Sequence, residues 1–293
     1  MSKEKKENST EEESKKGLQK VKAALINAID ENGNGEIDIE DVIIKGISLP
    51  GIKIHRDDFL KKQFKTKYPE EVIEKAIAES PMKAGIARCE IDEIADNVIQ
   101  LERNYVSGIS AALGVPGGWA MVATIPADIA QYYGYLLRTM QKLLYLYGFP
   151  QLLQDTEGTG LDDGTMNTLI VCMGVMYGTA GANNAVKAMA KALGIGVEKK
   201  LLKAALTKGA IYPIVKNVAK WFGVKMTKEV FAGFFKKAIP VVGGALGGAI
   251  TYATFKPCCV KLKECLRDTL LSNPHYKSTH EEDIIIESIT EDE

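Results

Sequence analysis

Six residues that offer oxygen ligands recur within one twelve-residue stretch near the start of the chain. They stand at positions 1, 3, 5, 7, 9 and 12 of the stretch: Asp30, Asn32, Asn34, Glu36, Asp38 and Asp41. A hard cation such as calcium takes about six to eight oxygens. Gly35 permits a sharp turn at position 6, and we expect Ile37 to point inward and anchor the loop. The spacing predicts a calcium loop in which Glu36 gives its backbone carbonyl and Asp38 binds directly or through water.

This loop resembles the EF-hand motif, and its final Asp also resembles the loops of dockerin modules. An EF-hand usually closes with a Glu that binds through both oxygens. Asp41 is shorter, so it must either pull the loop inward or bind through one oxygen. Because two of the side-chain ligands are neutral amides, we expect a dissociation constant of roughly 10⁻⁵ to 10⁻³ M. The alternative is an Asn-, Gly- and Asp-rich turn between two helices that binds no metal.

The elements that must position this loop are predicted to be helices. Apolar residues recur mostly at helical spacing, and alternating β-branched runs are few, so the fold class is all-α. The predicted organisation is a disordered tail at 1–16, an EF-hand-like module at 17–50, a helical connector at 51–84, a Gly-rich multi-helix domain at 85–272 and an acidic tail at 273–293. The predicted helices of the connector and domain lie at 57–66, 69–79, 85–104, from 127 onward, 198–208, 213–222, 227–238 and 257–271.

Glycines recur in the long uncharged stretches of the domain. Gly174, Gly178 and Gly181 form one group, and the pairs 243–244 and 247–248 form another. A spacing of four places them on one helix face, where they let two helices approach closely. The same arrangement occurs in membrane helices and in tightly packed soluble helices. The uncharged stretches are too short or too interrupted to predict a transmembrane span.

Several motifs in the same domain follow a familiar order along residues 85–271. They are Gly114-Val115-Pro116-Gly117-Gly118, Ile125-Pro126-Ala127-Asp128, Arg138, Tyr147-Gly148-Phe149, and Ile239-Pro240-Val241-Val242-Gly243-Gly244-Ala245-Leu246-Gly247-Gly248. In this order they resemble the bacterial EcsC family. The resemblance implies a bacterial, cytoplasmic helical protein with a link to membrane transport or secretion. It brings no catalytic residues with it, and the calcium loop is not part of its pattern.

The net charge of −1 hides a strong asymmetry. The segment 187–263 contains fifteen Lys, no Arg and two acids, a balance of +13, which leaves −14 for the remainder. Basic amphipathic helices that also carry aromatic residues suit an anionic membrane surface. Nucleic acid is not an expected partner, because Arg is absent from this segment and no base-reading motif is present. The alternatives are that the basic surface faces the chain's own acidic parts, or that its helices are ordinary core-packing helices with solvated faces.

Catalytic signatures are absent from the sequence. The three histidines lie in polar segments, and no nucleophile elbow, phosphate-binding loop or zinc-protease motif is present. Asp128 follows a long uncharged run and is a candidate functional acid. It also opens a helix, where an acid can cap free N–H groups. Arg138 and Lys142 are its candidate partners.

The cysteines and the C-terminal tail complete the expectations. Five cysteines without a secretory signal predict free thiols in a reducing compartment, and three of them are expected to be buried as small apolar residues: Cys258, Cys259 and Cys265. The tail is expected to be solvated. The alternatives for its apolar patch at 284–286 are a short strand or a partner-binding segment.

The leading hypothesis is therefore a non-enzymatic, calcium-binding helical protein of the bacterial cytoplasm. We expect it to associate peripherally with the inner face of the membrane through its Lys-rich face. The competing hypotheses are a soluble scaffold or regulator that binds a protein partner, and a hydrolase that uses Asp128.

Overall fold

The described part of the chain folds into helices alone. The computed structural model describes residues 19, 23, 26–114, 124–153, 161–196, 211–223 and 243–290, without the side chains of 243–247 and 288–290. Its main helices are α1 (Ile39–Ser48), α2 (Arg56–Phe64), α3 (Glu70–Ala78), α4 (Arg88–Gly114), α5 (Ile125–Leu146), α6 (Asp163–Tyr177), α7 (Ala182–Ile195), α8 (Gly243–Arg267) and α9 (His280–Thr290). Residues 26–29 and 211–223 are helical as well. The predicted all-α class is confirmed.

The helix bounds follow the sequence patterns in most places. Helices α2 and α3 match the predictions at 57–66 and 69–79, whereas α4 continues ten residues beyond its predicted end at 104. The predicted helices at 198–208 and 227–238 lie outside the described residues. The prediction of a last helix at 257–271 is wrong in its start, because α8 contains Pro257 in its interior. Pro257 has no backbone N–H, so the carbonyl of Ala253 has no hydrogen-bond donor within the helix. Both residues are exposed, so water can bind that carbonyl.

Helices α4, α5 and α8 form the centre of the body. Helices α4 and α8 are antiparallel and pack along their length, with Lys263 against Asp96 at one end and Gly248 against Ser107 at the other. A Cβ atom on Gly248 would lie 3.0 Å from the carbonyl oxygen of Ser107. A Cβ atom on Gly174 would likewise lie 2.6 Å from Val218 Cγ2. Both glycines therefore permit the close helix contacts that their spacing predicted.

The first glycine group does not share one helix face. Gly178 ends α6 in the left-handed conformation at φ 76°, and Gly181 precedes α7 at φ 82°. Two helices with a tight turn between them replace the single continuous surface that the spacing of Gly174, Gly178 and Gly181 predicted. The left-handed conformation is open to glycine at little cost, so these residues serve the turn.

The loop-bearing part of the chain shares the core of the body. Ile39, Val42 and Ile43 of α1 are almost fully buried in one continuous apolar cluster with Leu136 and Leu137 of α5. A Cβ atom on Gly46 would lie 3.1 Å from the Gly134 backbone nitrogen, so α1 crosses α5 at these two glycines. The module predicted at 17–50 and the domain predicted at 85–272 are therefore packed together.

Candidate metal site

The twelve-residue stretch lies between two helical segments. The backbone N–H of Asp30 closes the last turn of the preceding helix with the Ile26 carbonyl at 2.9 Å, and α1 begins at Ile39. Gly35 has a φ of 81° and makes the predicted bend. Gly33 also has a positive φ of 72°, so two glycines reverse the chain. Ile37 is half-buried and packs against the core, as its predicted anchoring role requires.

The side chains at positions 1, 3 and 5 fold back over the backbone of the loop. Asp30 accepts the N–H of Gly33 at 2.7 Å through Oδ1 and that of Gly35 at 2.8 Å through Oδ2. Asn32 Oδ1 accepts the N–H of Asn34 at 2.9 Å, and Asn34 Oδ1 accepts that of Glu36 at 2.7 Å. Three oxygen-bearing side chains are thereby held in fixed positions along one turn of chain.

Asp41 joins the two ends of the loop. Its Oδ1 accepts the N–H of Glu31 at 3.0 Å, and its Oδ2 accepts the N–H of Asp38 at 3.0 Å. The residue is 1% exposed. Asp38 Oδ1 in turn accepts the N–H groups of Glu40 and Asp41, which forms a reciprocal cap at the start of α1. Asp38 and Asp41 thus have a capping role that requires no metal.

Position 3 and position 9 face each other across the loop. Asn32 Nδ2 donates to Asp38 Oδ2 at 3.0 Å. A rotation of the Asn32 side-chain amide by 180° would exchange its Nδ2 and Oδ1 atoms. Asn32 Oδ1 and Asp38 Oδ2 would then face each other across the loop. The Glu36 side chain is exposed, which is compatible with a contribution from its backbone carbonyl alone.

The loop concentrates negative charge. Glu31 is the one acid of the loop that forms an ion pair within the described residues, with Lys45 at 2.9 Å. Burial raises the pKa of Glu40, and repulsion from Asp38, Asp41 and Asp163 raises it further. Burial also raises the pKa of Asp41, although the N–H groups that it accepts oppose the rise. Asp163 belongs to α6 of the body, so the body adds to the negative field of the loop.

The ligand chemistry fits a hard cation. Carboxylate, amide and carbonyl oxygens are the groups that calcium prefers, and each carboxylate oxygen keeps a second lone pair when it accepts one N–H. Within the described residues, acids, histidines and cysteines do not gather in threes at metal-binding spacing. A cation in this loop would therefore need the amide and carbonyl oxygens as well as the carboxylates.

Polar side chains of α5 hold the turn that follows α1. Arg138 donates to the Gly51 carbonyl, and Gln141 Nε2 donates to the Ile52 carbonyl at 3.0 Å. Gln141 Oε1 accepts the N–H of Ile54 at 3.0 Å. These contacts could not be predicted from the sequence, because their partners lie more than eighty positions apart.

The proposed partners of Asp128 belong to another acid. Lys142 and Arg138 both donate to Oε1 of Glu102, Arg138 through Nε at 3.1 Å. Glu102 is 1% exposed, and its second oxygen, Oε2, has no hydrogen-bond partner. Both candidate partners of Asp128 thus pair with Glu102. Asp128 accepts instead the hydroxyl of Ser110 at 2.6 Å.

Asp128 joins three helices at one point. Ser110 of α4 is buried, and its hydroxyl oxygen accepts that of Thr251 of α8 at 3.1 Å while donating to Asp128 of α5. A pocket of about 360 Å³ lies elsewhere, between α6, α7 and α8, and Lys187, Lys261 and Cys265 are among its lining residues. The contacts of Asp128 fit a packing role.

The acidic parts of the chain neutralise some of the lysines in the segment 187–263. Lys187 pairs with Asp268 at 2.7 Å, Lys263 pairs with Asp96 at 2.6 Å, and Lys191 pairs with Asp283. Four other described lysines of the segment are exposed and form no ion pair with described residues: Lys216, Lys220, Lys256 and Lys261. The basic surface is thus partly internal to the molecule.

The apolar face of the helix at 211–223 is used inside the protein. Val218 and Phe222 are 1% exposed, and the ring of Phe222 lies 5.5 Å from that of Tyr133 between centroids. Lys216 and Lys220 lie on its exposed face. This arrangement matches the core-packing alternative for this helix.

The C-terminal acidic segment also folds onto the body. Helix α9 packs against α7, and Ile285 and Ile286 are buried. Glu282 is fully buried and accepts the hydroxyl groups of Tyr276 and Thr279. The expectation of a solvated tail is wrong for this segment, because its isoleucines complete an apolar surface that the sequence alone does not locate.

The cysteines are free thiols. Cys172, Cys259 and Cys265 are buried and Cys258 is half-buried, whereas Cys89 is exposed. Burial raises the pKa of Cys265 to about 12.

Comparison with family models, curated proteins and solved structures found no match for this chain. The resemblance to the EcsC family therefore stays a prediction. Among the described residues, no helix combines the length and the apolar character needed to cross a bilayer.

Proposed function

We propose that the chain is a non-enzymatic calcium-binding protein whose metal loop is braced against a helical body. The ligands are the six residues of the loop: Asp30, Asn32, Asn34, Glu36, Asp38 and Asp41. The observation that carries the proposal is a glycine-bent loop between two helices whose side-chain oxygens are held by the loop's own N–H groups.

Electrostatics favour a cation at this place. Asp30, Asp38 and Asp41 have no basic partner among the described residues, and Asp163 adds a further negative charge nearby. Like charges that crowd together raise the free energy of the folded state, and a bound cation relieves that repulsion. Calcium is the ion of choice because the donors are all oxygens and because calcium accepts about six to eight of them in varied geometry.

Calorimetric calcium titration tests the proposal. The wild-type chain is expected to bind one calcium ion, and Asp30→Asn to bind it at least tenfold more weakly, since a charged ligand at position 1 is lost. Glu31→Gln is the matched control, because Glu31 lies in the same loop at a position that is not a ligand. Equal titration curves for the wild type and Asp30→Asn, with unchanged helix content, would show that the loop is only a turn.

We further propose that the protein lies at the inner face of the cell membrane. The support is the exposure of Lys216, Lys220, Lys256 and Lys261 and the implied link of the EcsC resemblance to transport or secretion. Each lysine near an anionic surface contributes about 1 kcal/mol of attraction, which salt screens. The apolar faces described so far pack inside the protein, so charge supplies this attraction.

Vesicle flotation separates this role from a scaffold that binds a protein partner. The wild type should float with phosphatidylglycerol vesicles at low salt, and Lys216→Glu/Lys220→Glu should float less. Lys53→Glu/Lys62→Glu is the control, because it changes the net charge equally on another helix and its preceding turn. If the wild type stays at the bottom of the gradient with and without calcium, the membrane role is wrong and the scaffold role is favoured.

A hydrolase that uses Asp128 is the least supported alternative. The hydroxyl of Ser110 that Asp128 holds is itself buried at 1% exposure, and the second contact of that hydroxyl is the buried Thr251. Such an arrangement joins three helices, which favours a structural role for the carboxylate.

A further inference from the structure

The acidic end of the chain is bound to polar side chains of α7. We name residues 273–290, which end in α9, the C-terminal segment. Lys191 of α7 donates to the hydroxyl of Ser278 at 3.2 Å and pairs with Asp283. Asn184, two turns earlier on α7, donates its side-chain amide to Glu281. One side of α7 thus already binds two carboxylates, and both belong to the chain itself.

Lys187 lies between Asn184 and Lys191 on the same side of α7. Tyr276 of the C-terminal segment lies near it, with 5.6 Å between Lys187 Nζ and the ring centroid. Asp268, which precedes the segment, pairs with Lys187 at 2.7 Å. The side chains of Lys187 and Lys191 are only 18% and 22% exposed. An anion from outside the molecule therefore meets little of either lysine while the C-terminal segment is docked.

The C-terminal segment is held at the edge of the molecule by modest contacts. Among the described helices, α9 packs mainly against α7. Ile285 and Ile286 are buried, whereas Ile284 is 46% exposed. The side chain of Asp283 is 37% exposed, and ion pairs that water reaches contribute little to stability. Other anions can therefore compete with the acids of this segment at a modest free-energy cost.

An anionic membrane surface offers α7 the same kind of group. Lipid phosphate oxygens accept hydrogen bonds from a lysine as carboxylate oxygens do. Lys187 and Lys191 are four positions apart, so they point the same way from α7. Several small apolar residues of α7 are buried beside them, among them Ala188 and Ala192. Lysines beside an apolar helix face suit the interface between water and lipid.

We propose that the C-terminal segment and an anionic membrane surface compete for the same side of α7. The docked segment occupies Lys191 and Asn184, and a lipid surface that displaces it gains Lys191 and uncovers Lys187. The segment is joined to α8 by a short connection, so it acts at a high effective concentration and only a densely anionic surface displaces it. This inference rests on the membrane role proposed above and adds its regulation.

Vesicle flotation of full-length variants tests the competition. Glu281→Gln/Asp283→Asn removes the two carboxylates that α7 binds and leaves the buried isoleucines in place. This variant should bind phosphatidylglycerol vesicles about fivefold more tightly than the wild type, which is roughly the effect of one freed lysine near the surface. Glu71→Gln/Glu74→Gln on α3 is the control, because it changes the net charge equally at two exposed positions and should change binding far less.

Lys191→Gln separates the release of a lysine from a general loss of negative charge. In the wild type it should change vesicle binding little, because the C-terminal segment covers Lys191. Combined with Glu281→Gln/Asp283→Asn, it should remove most of the fivefold gain. If Lys191→Gln weakens binding equally in both chains, Lys191 is already available to lipid. The competition is then wrong, and the membrane role stands.

Hydrogen exchange of α9 gives a second measurement on the wild type. The amides of α9 should exchange faster with phosphatidylglycerol vesicles and should keep their protection with neutral phosphatidylcholine vesicles. If the wild type floats while the protection of α9 is unchanged, the segment stays docked and the competition is wrong. If neither the wild type nor Glu281→Gln/Asp283→Asn floats, the membrane role fails and the competition fails with it.

Discussion

The acids of the loop and the buried acid of the body are stabilised in different ways. Glu102 lies between α4 and α5 and has two cationic partners, Lys142 and Arg138. Asp30, Asp38 and Asp41 accept N–H groups of the backbone and have no cationic partner among the described residues. Glu102 is thus neutralised by cations of the body, whereas these three loop carboxylates have no cation beside them among the described residues.

Under the proposed function, this difference separates a structural acid from a metal-binding acid. A buried carboxylate whose charge is matched by the protein has nothing to gain from an added ion. A group of carboxylates that share one loop and repel one another gains from every cation that enters. Acids with and without a cationic partner therefore occur in one fold, and we propose a metal only where several unpaired acids share one loop.

The largest expected effect follows from the removal of the Glu102 carboxylate, which has cationic partners. Glu102→Gln leaves Lys142 buried without its counter-charge, and breaking a buried pair in this way costs about 3–5 kcal/mol of unfolding free energy. Urea unfolding measures it, with Glu93→Gln on the exposed side of the same helix as the control. A loss below 1 kcal/mol, which is roughly the value of an exposed pair, would mean that Glu102 is not the counter-charge of Lys142.

Calcium should stabilise the folded chain by the next largest amount. At a free calcium concentration one hundred times the dissociation constant, a ligand that binds only the folded state adds about 2.7 kcal/mol. Thermal unfolding of the wild type should shift upward with calcium, and that of Asp30→Ala should not. A chelator returns the wild type to its starting midpoint. Equal shifts in both chains would place the bound calcium outside the loop.

Removal of the α1 cap is expected to have a moderate effect. Asp38→Ala loses the acceptor for the N–H groups of Glu40 and Asp41, which costs about 1 kcal/mol in the absence of calcium. Glu36→Ala, an exposed change in the same loop, should cost far less. If the two variants unfold at the same urea concentration without calcium, Asp38 has no structural role apart from the metal.

The smallest effect is expected in the Lys-rich segment. Lys263→Met breaks the pair with Asp96, whose side chain is 57% exposed, and such pairs contribute about 0.2–1 kcal/mol. A double-mutant cycle with Asp96→Asn isolates the pair. A coupling energy between Lys263 and Asp96 well above that range would mean that the pair stabilises the fold as the buried charges around Glu102 do. Lysines committed to such pairs would not be available to bind an anionic surface.

Local patterns predicted the bend at Gly35 and the helices α1 to α5, apart from the end of α4. The bend at Gly35, the start of α1 and the helices α2 and α3 depend on neighbouring residues, so periodicity and turn chemistry were sufficient. The pattern did not reveal Gly33 as a second bend. An Asn-Gly pair repeated in the loop was the available signal.

Contacts between distant residues could not be predicted. Lys142 and Arg138, the partners of Glu102, lie about forty positions away from it, and the partner of Asp128 could not be chosen from the sequence. The burial of α9 depends on an apolar surface that exists only after α7 and α8 have packed. The fold class was thus accessible from sequence, whereas the pairing of charges needed the tertiary structure.

The fixed far end of α1 determines how a change in the loop would travel. Gly46 lies against Gly134, and Arg138 and Gln141 hold the turn just beyond the helix, so α1 is pinned at its C-terminal end. A helix of ten residues is about 15 Å long. A shift of the loop that left these contacts in place would tilt α1 against α5.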